Sequence, residues 1–284
     1  MNSPFRELWR SVEPFHQVAY RSPEATDMYA NLGLNRPEDQ YFANRLCALG
    51  AVGPKTAAAV LFGFNPEYVS ASVPAIWSIV DPRVVVAARI EAASSTLRRI
   101  LQGVDHSQLR IASGLASSLV DGLDYALAPM AAAWSDIDRP EDPLVSLWLS
   151  CTVLREHRGD AHWRATAVAG VDPVECHLLH AADGAMPAEL LQRVSRWNDH
   201  DWSTARIRLI ERGLLSPGAE LHLTDHGREV KTAIERETDR HLPDECASDA
   251  TSLRTIMKPW TDTITESGAV GAWKMREELW RNDA

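Results

Sequence analysis

Lysine is nearly absent from this chain: of 29 basic residues, four are Lys and 25 are Arg. That skew reads as codon bias rather than as a functional signal. Basic charge is also in short supply overall. Asp and Glu total 39, the net charge is −10, and such a chain repels phosphate backbones at long range. Nucleic acid is therefore not its default partner. Only four cysteines occur, Cys47, Cys151, Cys176 and Cys246, with no C-x-x-C pair. This argues against a zinc ribbon and a disulfide framework, and suits free thiols in a reducing cytosol. No apolar run approaches ~18 residues, so no membrane span is expected. The N-terminal stretch lacks an apolar h-region, so no signal peptide is expected and the protein is placed in the cytoplasm. H-E-x-x-H and G-x-S-x-G are missing. Gly50 to Thr56 only mimics a phosphate loop: the spacing is short and Pro54 intrudes.

What is present is helix. With 284 residues and 45% hydrophobic content, the chain can bury a sizeable core in two domains. Ser3-Pro4, Ser22-Pro23, Asn65-Pro66 and Asp81-Pro82 each pair an N-cap residue with proline at the first helical position. Further starts fall at Arg36-Pro37 and Gly53-Pro54. Pro14 should kink or restart the first helix. Residues 105–134 read as one Ala-rich helix. The stretch 135–143, SDIDRPEDP, holds four acids and two prolines and reads as a linker between a helical domain, 1–134, and a second domain, 144–284. No useful period-two alternation occurs in the first 170 residues, so almost no strand is expected there.

The last third reads as helix, short helix, longer helix, ERGLL, a turn, LHLT and DHGREV, with a small β-hairpin wing near Leu215–Leu223. That order over about 172–240 resembles the MarR-type winged helix-turn-helix, in which a helix ends in a sequence like ERGL and a strand leads into one like LT-x-x-G-R. The expected fold class is thus mainly α: a multi-helical N-terminal half plus a MarR-like winged helix-turn-helix. Trp77–Ile90 can be laid over Trp197–Ile210, so the first half is a candidate diverged copy of the second. VEPFHQVAY (12–20), TVLREHRGDAH (152–162) and the terminal winged helix together resemble an actinobacterial family with a MarR-like C-terminal half. The resemblance implies a fold, and it singles out His16 and the run Glu156–His162. It implies no activity.

A recognition helix would begin near Asn198-Asp199-His200-Asp201-Trp202, putting two carboxylates toward the phosphate-rich groove. The wing SPGAELHLT carries no Arg or Lys. Residues 185–240 hold nine Lys and Arg against ten Asp and Glu. Arg193, Arg196, Arg206 and Arg208 are the material for a residual basic strip. DNA binding is disfavoured, and the winged helix is expected to serve as scaffold or dimer surface.

The chemistry concentrates in Arg155-Glu156-His157-Arg158-Gly159-Asp160-Ala161-His162. On a helix, Arg155, Arg158 and His162 form one stripe, with Glu156, Asp160 and Trp163 beside it. Arginines steadied by carboxylates can bind an anion bidentately; the plainer alternative is an ion-paired face that ties the halves together. His16, amid Val12, Phe15, Val18 and Tyr20, is either a core histidine or a partner of that stripe across a cleft. The expected site therefore has His16 and His162 as proton-transfer residues, and Tyr20, Arg155, Glu156, His157, Arg158 and Asp160 as ligand contacts. The expected ligand is a small anionic or aromatic molecule held between the halves, in a binding protein or an enzyme of specialised metabolism or resistance. Two alternatives stand: a dimeric, ligand-responsive MarR-like regulator, and a metal or haem protein using His16, His157 or His162. His177 and His180, three apart on a helix, share a face that could ligate zinc, but Glu175 and Cys176 are expected to point elsewhere and no third ligand is evident, so no metal set is assigned, and no cofactor is named.

Overall fold

The computed structural model describes residues 3–271, and every statement of absence below concerns those residues. The chain runs through α1 (Pro4–Arg21), α2 (Pro23–Asn31), α3 (Pro37–Leu46), α4 (Pro54–Val60), α5 (Pro66–Ser70), α6 (Ile76–Ile79) and α7 (Pro82–Ile100). It continues through α8 (His106–Asp121), α9 (Pro129–Ser135), α10 (Pro143–Val168), α11 (Pro173–Ala182), α12 (Ala188–Ser195), α13 (Asp199–Glu211), α14 (Asp225–Asp239) and α15 (Ala247–Glu266). Nine of these helices begin with proline, whose fixed φ suits the first turn and whose missing N–H costs nothing there. The residue before it often supplies the cap: Ser3 accepts from Phe5 N, Asp81 from Arg83 N, and Asp142 from Leu144 N.

Three local expectations are corrected. α1 passes through Pro14 without interruption. The Ala-rich stretch splits into α8 and α9, because Gly122 ends the first and Pro129 opens the second after Leu127 takes a left-handed φ of 56°. The β-hairpin does not form as strands: one isolated antiparallel bridge joins Leu215 to Leu223. Ser216 N donates to His222 O and Thr224 N to Leu214 O, and Pro217 and Gly218 between them leave no run to extend the ladder.

The apolar cores also divide elsewhere than at 135–143. One core spans Phe5 to Leu154 and takes in Leu242, the buried face of α15 and Val270. The second spans Ala165 to Ile234. α10 belongs to both. Its first half, Leu144–Leu154, is buried on every side against α1, α7, α8 and α9, as a central helix must be. Its second half carries the ionisable run and meets α14. SDIDRPEDP is a turn between α9 and α10, and α15 returns to pack on α1 and α8. No helix is long and apolar enough to cross a membrane.

Candidate functional site

A cleft of about 340 Å³ lies where the bundle meets the helix-turn-helix unit. α10 forms one wall with Arg155, Arg158, His162 and Trp163; α1 adds Arg6, Trp9, Arg10 and Glu13. Tyr41, Arg45 and Phe64 come from the bundle, and His177, His180, Asp183, Lys231 and Glu235 from the second unit. Six cationic side chains thus face three carboxylates, in a chain whose overall charge is −10. An adjoining groove of about 560 Å³ shares Arg6, Asp183, Lys231 and Glu235 with it.

The cations are held in ion pairs. Arg158 Nη2 donates to Glu235 (3.2 Å) and Asp239 (3.3 Å), and its guanidinium lies 4.5 Å over the Trp9 ring. Arg6 reaches the same two acids at 3.0 and 3.1 Å. These contacts tie α1 and α10 to α14, so the stripe does act as a clasp between the two units. Arg155 donates to Glu13 (3.2 Å) and Glu156 (3.0 Å), while remaining about a quarter exposed. Burial pushes the Glu235 carboxyl up, but His162, Arg158, His180 and Lys231 around it outweigh that and hold it well below the usual carboxylate range.

His16 does not share the cleft. It is almost fully buried behind the wall. Its Nδ1 lies 3.3 Å from the Arg89 guanidinium and 3.4 Å from Thr152 Oγ1, and its Nε2 is hydrogen-bonded to the Tyr20 hydroxyl (2.9 Å). Burial, then Arg89, Arg155 and Arg45, keep its pKa well below the ordinary value, so it is neutral. Tyr20 also accepts from Arg45 and Arg89. Glu156, fully buried, takes bonds from Arg45 and Arg155 and lies 3.8 Å from His16 Nε2. Hence the expected common cavity of His16 and the arginine stripe is corrected: His16 lies outside the cleft lining, beside buried Glu156 and behind Arg45 of the wall.

His157 and Asp160 point away from the cleft as well. His157 donates from Nε2 to Asp124 O (2.7 Å), and its pKa is lowered chiefly by burial. Asp160 accepts from the N–H groups of Met130 and Ala131, capping α9. Of the expected residues, Arg155, Arg158 and His162 line the cleft; His16, Tyr20, Glu156, His157 and Asp160 support its wall.

Four participants were invisible as such in the sequence. Arg89 is fully buried between the rings of Tyr20, Trp134 and Trp148, at 4.8, 4.4 and 5.7 Å, with no carboxylate within 4 Å. Arg45 pairs with Glu156, and Glu13 pairs with Arg155. Cys176, together with His162 and His180, forms a cluster whose ligand atoms all lie within 4.8 Å of one another. The signal for it was the i, i+4 spacing of Cys176 and His180 on one helix face. His177, one step round the helix, instead donates to Gly63 O (2.7 Å) and stacks on Trp202.

The helix-turn-helix unit is docked by its own turn. Trp197 Nε1 and His177 both donate to Gly63 O, and Asn65 N donates to Ser195 O. A Cβ on Gly63 would come within 3.3 Å of the His177 ring, so glycine permits this approach. On α13, Asp199, His200, Ser203 and Ile207 are exposed. Arg206 holds the carbonyls of 218–220, Arg208 and Arg212 pair with Glu175, and Arg196 covers Tyr68. Of the expected strip, Arg196, Arg206 and Arg208 are engaged within the fold, while Arg193 is exposed on α12.

No curated protein and no solved structure matches the chain. Residues 5–271 match the profile described as a helix-turn-helix family, with α11, α12 and α13 in the order such a unit requires. The chain belongs to that helix-turn-helix family.

Proposed function

We propose that the protein binds a small anionic, aromatic molecule in the cleft, and that the helix-turn-helix unit serves as one wall of that cleft rather than as a reader of DNA. The observation that carries this reading is the cation excess of the cleft lining in an otherwise acidic chain. Arg155 and Lys231 offer guanidinium and ammonium donors, and Trp9, Tyr41, Phe64 and Trp163 offer ring faces. A mostly apolar concavity with a few convergent polar groups is the usual form of a small-molecule site. The exposed face of α13 presents Asp199, His200, Ser203 and Ile207, without a cation for phosphate.

A thermal-shift series of aromatic carboxylates, with benzoate as reference probe, tests the reading. At ~100 Kd of ligand a stabilisation of about 2.7 kcal/mol is expected. Arg155→Gln should abolish the shift in a folded protein. No shift from any member, or shifts unaltered by Arg155→Gln, would refute it.

Membership of a helix-turn-helix family is compatible with a second reading, a dimeric, ligand-responsive regulator. It requires tight, salt-sensitive, sequence-selective DNA binding in a gel shift, and a two-chain mass in solution at micromolar concentration.

A further inference from the structure

We propose that His162, Cys176 and His180 form a site for one zinc-type divalent ion, with a fourth coordination position facing the cleft. Two helices converge here: His162 comes from α10, and Cys176 and His180 from successive turns of α11. His162 Nε2 lies 3.3 Å from His180 Nε2 and 3.8 Å from Cys176 Sγ. A tetrahedral ion with Zn–N near ~2.0 Å and Zn–S near ~2.3 Å separates two nitrogens by about 3.3 Å and a nitrogen from sulfur by about 3.6 Å. These two spacings match that figure, and all three ligand atoms lie within 4.8 Å of one another.

The surroundings orient the ligands as a metal site requires. Thr238 Oγ1 gives its proton to Ile234 O (2.8 Å), so it accepts from His162 Nδ1 (3.2 Å). That bond places the ring proton on Nδ1 and directs the Nε2 lone pair at the cluster. His162 and His180 both line the cleft, while Cys176 is buried behind them. The remaining tetrahedral direction therefore faces the cleft. Two imidazoles and a thiolate with one exchangeable position match the ligand number of catalytic rather than structural zinc. The alternative for the same atoms is a metal-free hydrogen-bonded cluster, in which His162 Nε2 is shared by the His180 ring and the Cys176 thiol.

Tag-free full-length protein, stripped with chelator, is titrated with Co²⁺ alone. One ion per chain is expected, with tetrahedral d–d bands and a thiolate-to-cobalt charge-transfer band. Cys176→Ser should remove the charge-transfer band. If that variant fails to fold, His180→Gln, at a partly exposed helix end, should lower affinity by at least tenfold. Thr238→Val removes the acceptor that orients His162 without removing a ligand, and should weaken binding about 10–100-fold while leaving the spectrum unchanged. Azide should shift the d–d bands by taking the fourth position. Folded, metal-free protein that takes up no Co²⁺, or that binds it without a charge-transfer band, overturns the site. A spectrum insensitive to saturating azide overturns the cleft-facing position. The titration contains no organic anion, so its failure leaves the benzoate result standing, and the reverse holds equally.

Discussion

Replacing Glu156 by Gln keeps shape and removes one buried charge, and its consequence can be worked from the network behind the cleft. Glu156 is 1% exposed and accepts from Arg45 and from Arg155. Arg155 has a second partner in Glu13; Arg45, 7% exposed, has no other carboxylate within 4 Å. Fully buried Arg89 adds a third positive charge to the same network, around Tyr20. Breaking one partner from a buried pair costs about 3–5 kcal/mol, because the remaining charge stays desolvated and uncompensated. Against a total stability of about 5–15 kcal/mol, Glu156→Gln should remove roughly a fifth or more. Urea unfolding followed by tryptophan fluorescence measures this. Arg45→Met with Glu156→Leu should recover much of the loss, with a coupling energy of roughly 2 kcal/mol or more. A cost for Glu156→Gln below about 1 kcal/mol, or two single effects that simply add, would refute the claim that the network acts as one charged unit.

Three further outcomes follow from the same structure. Burial, with Arg158 and His157 beside it, holds His241 down at about 3, against 6.5 when unfolded. Stability from its neutral ring is therefore complete above pH 6.5 and is lost as pH falls toward 3, by up to about 5 kcal/mol. His241→Phe should flatten that part of the urea-midpoint profile, and an unchanged slope counts against it. A Cβ on Gly227 would lie 2.0 Å from the Leu214 carbonyl oxygen, so Gly227→Ala should cost about 3 kcal/mol or more and open 214–227 to proteolysis; near-wild-type resistance would show that the approach is relaxed. Arg158→Ala removes the clasp to Glu235 and Asp239 and should destabilise the protein by about 1–3 kcal/mol, measured by thermal unfolding; no loss would mean that Arg6 alone holds α14.

The sequence by itself determined the helices and their order, because those decisions are local. Cap residues followed by proline open helices wherever they stand, and the absence of period-two patterning leaves little else to form. The DHGREV stretch was legible for a similar reason: Thr224 caps α14, and only glycine at 227 lets that helix approach Leu214. The run 155–162 was legible as a stripe of chemistry, and its Arg155, Arg158 and His162 do share one helix face along the cleft. What stood opposite them was decided by tertiary structure alone. His16 and Glu156 are 140 positions apart, and nothing local says that they lie side by side behind Arg45 of the cleft wall. CHLLH reads as two histidines three apart until α10 brings His162 beside His180 and Cys176, while Gly63, from the far unit, takes His177 away. Periodicity fixes which side chains share a face; the packing of α10 between two cores fixes which faces meet.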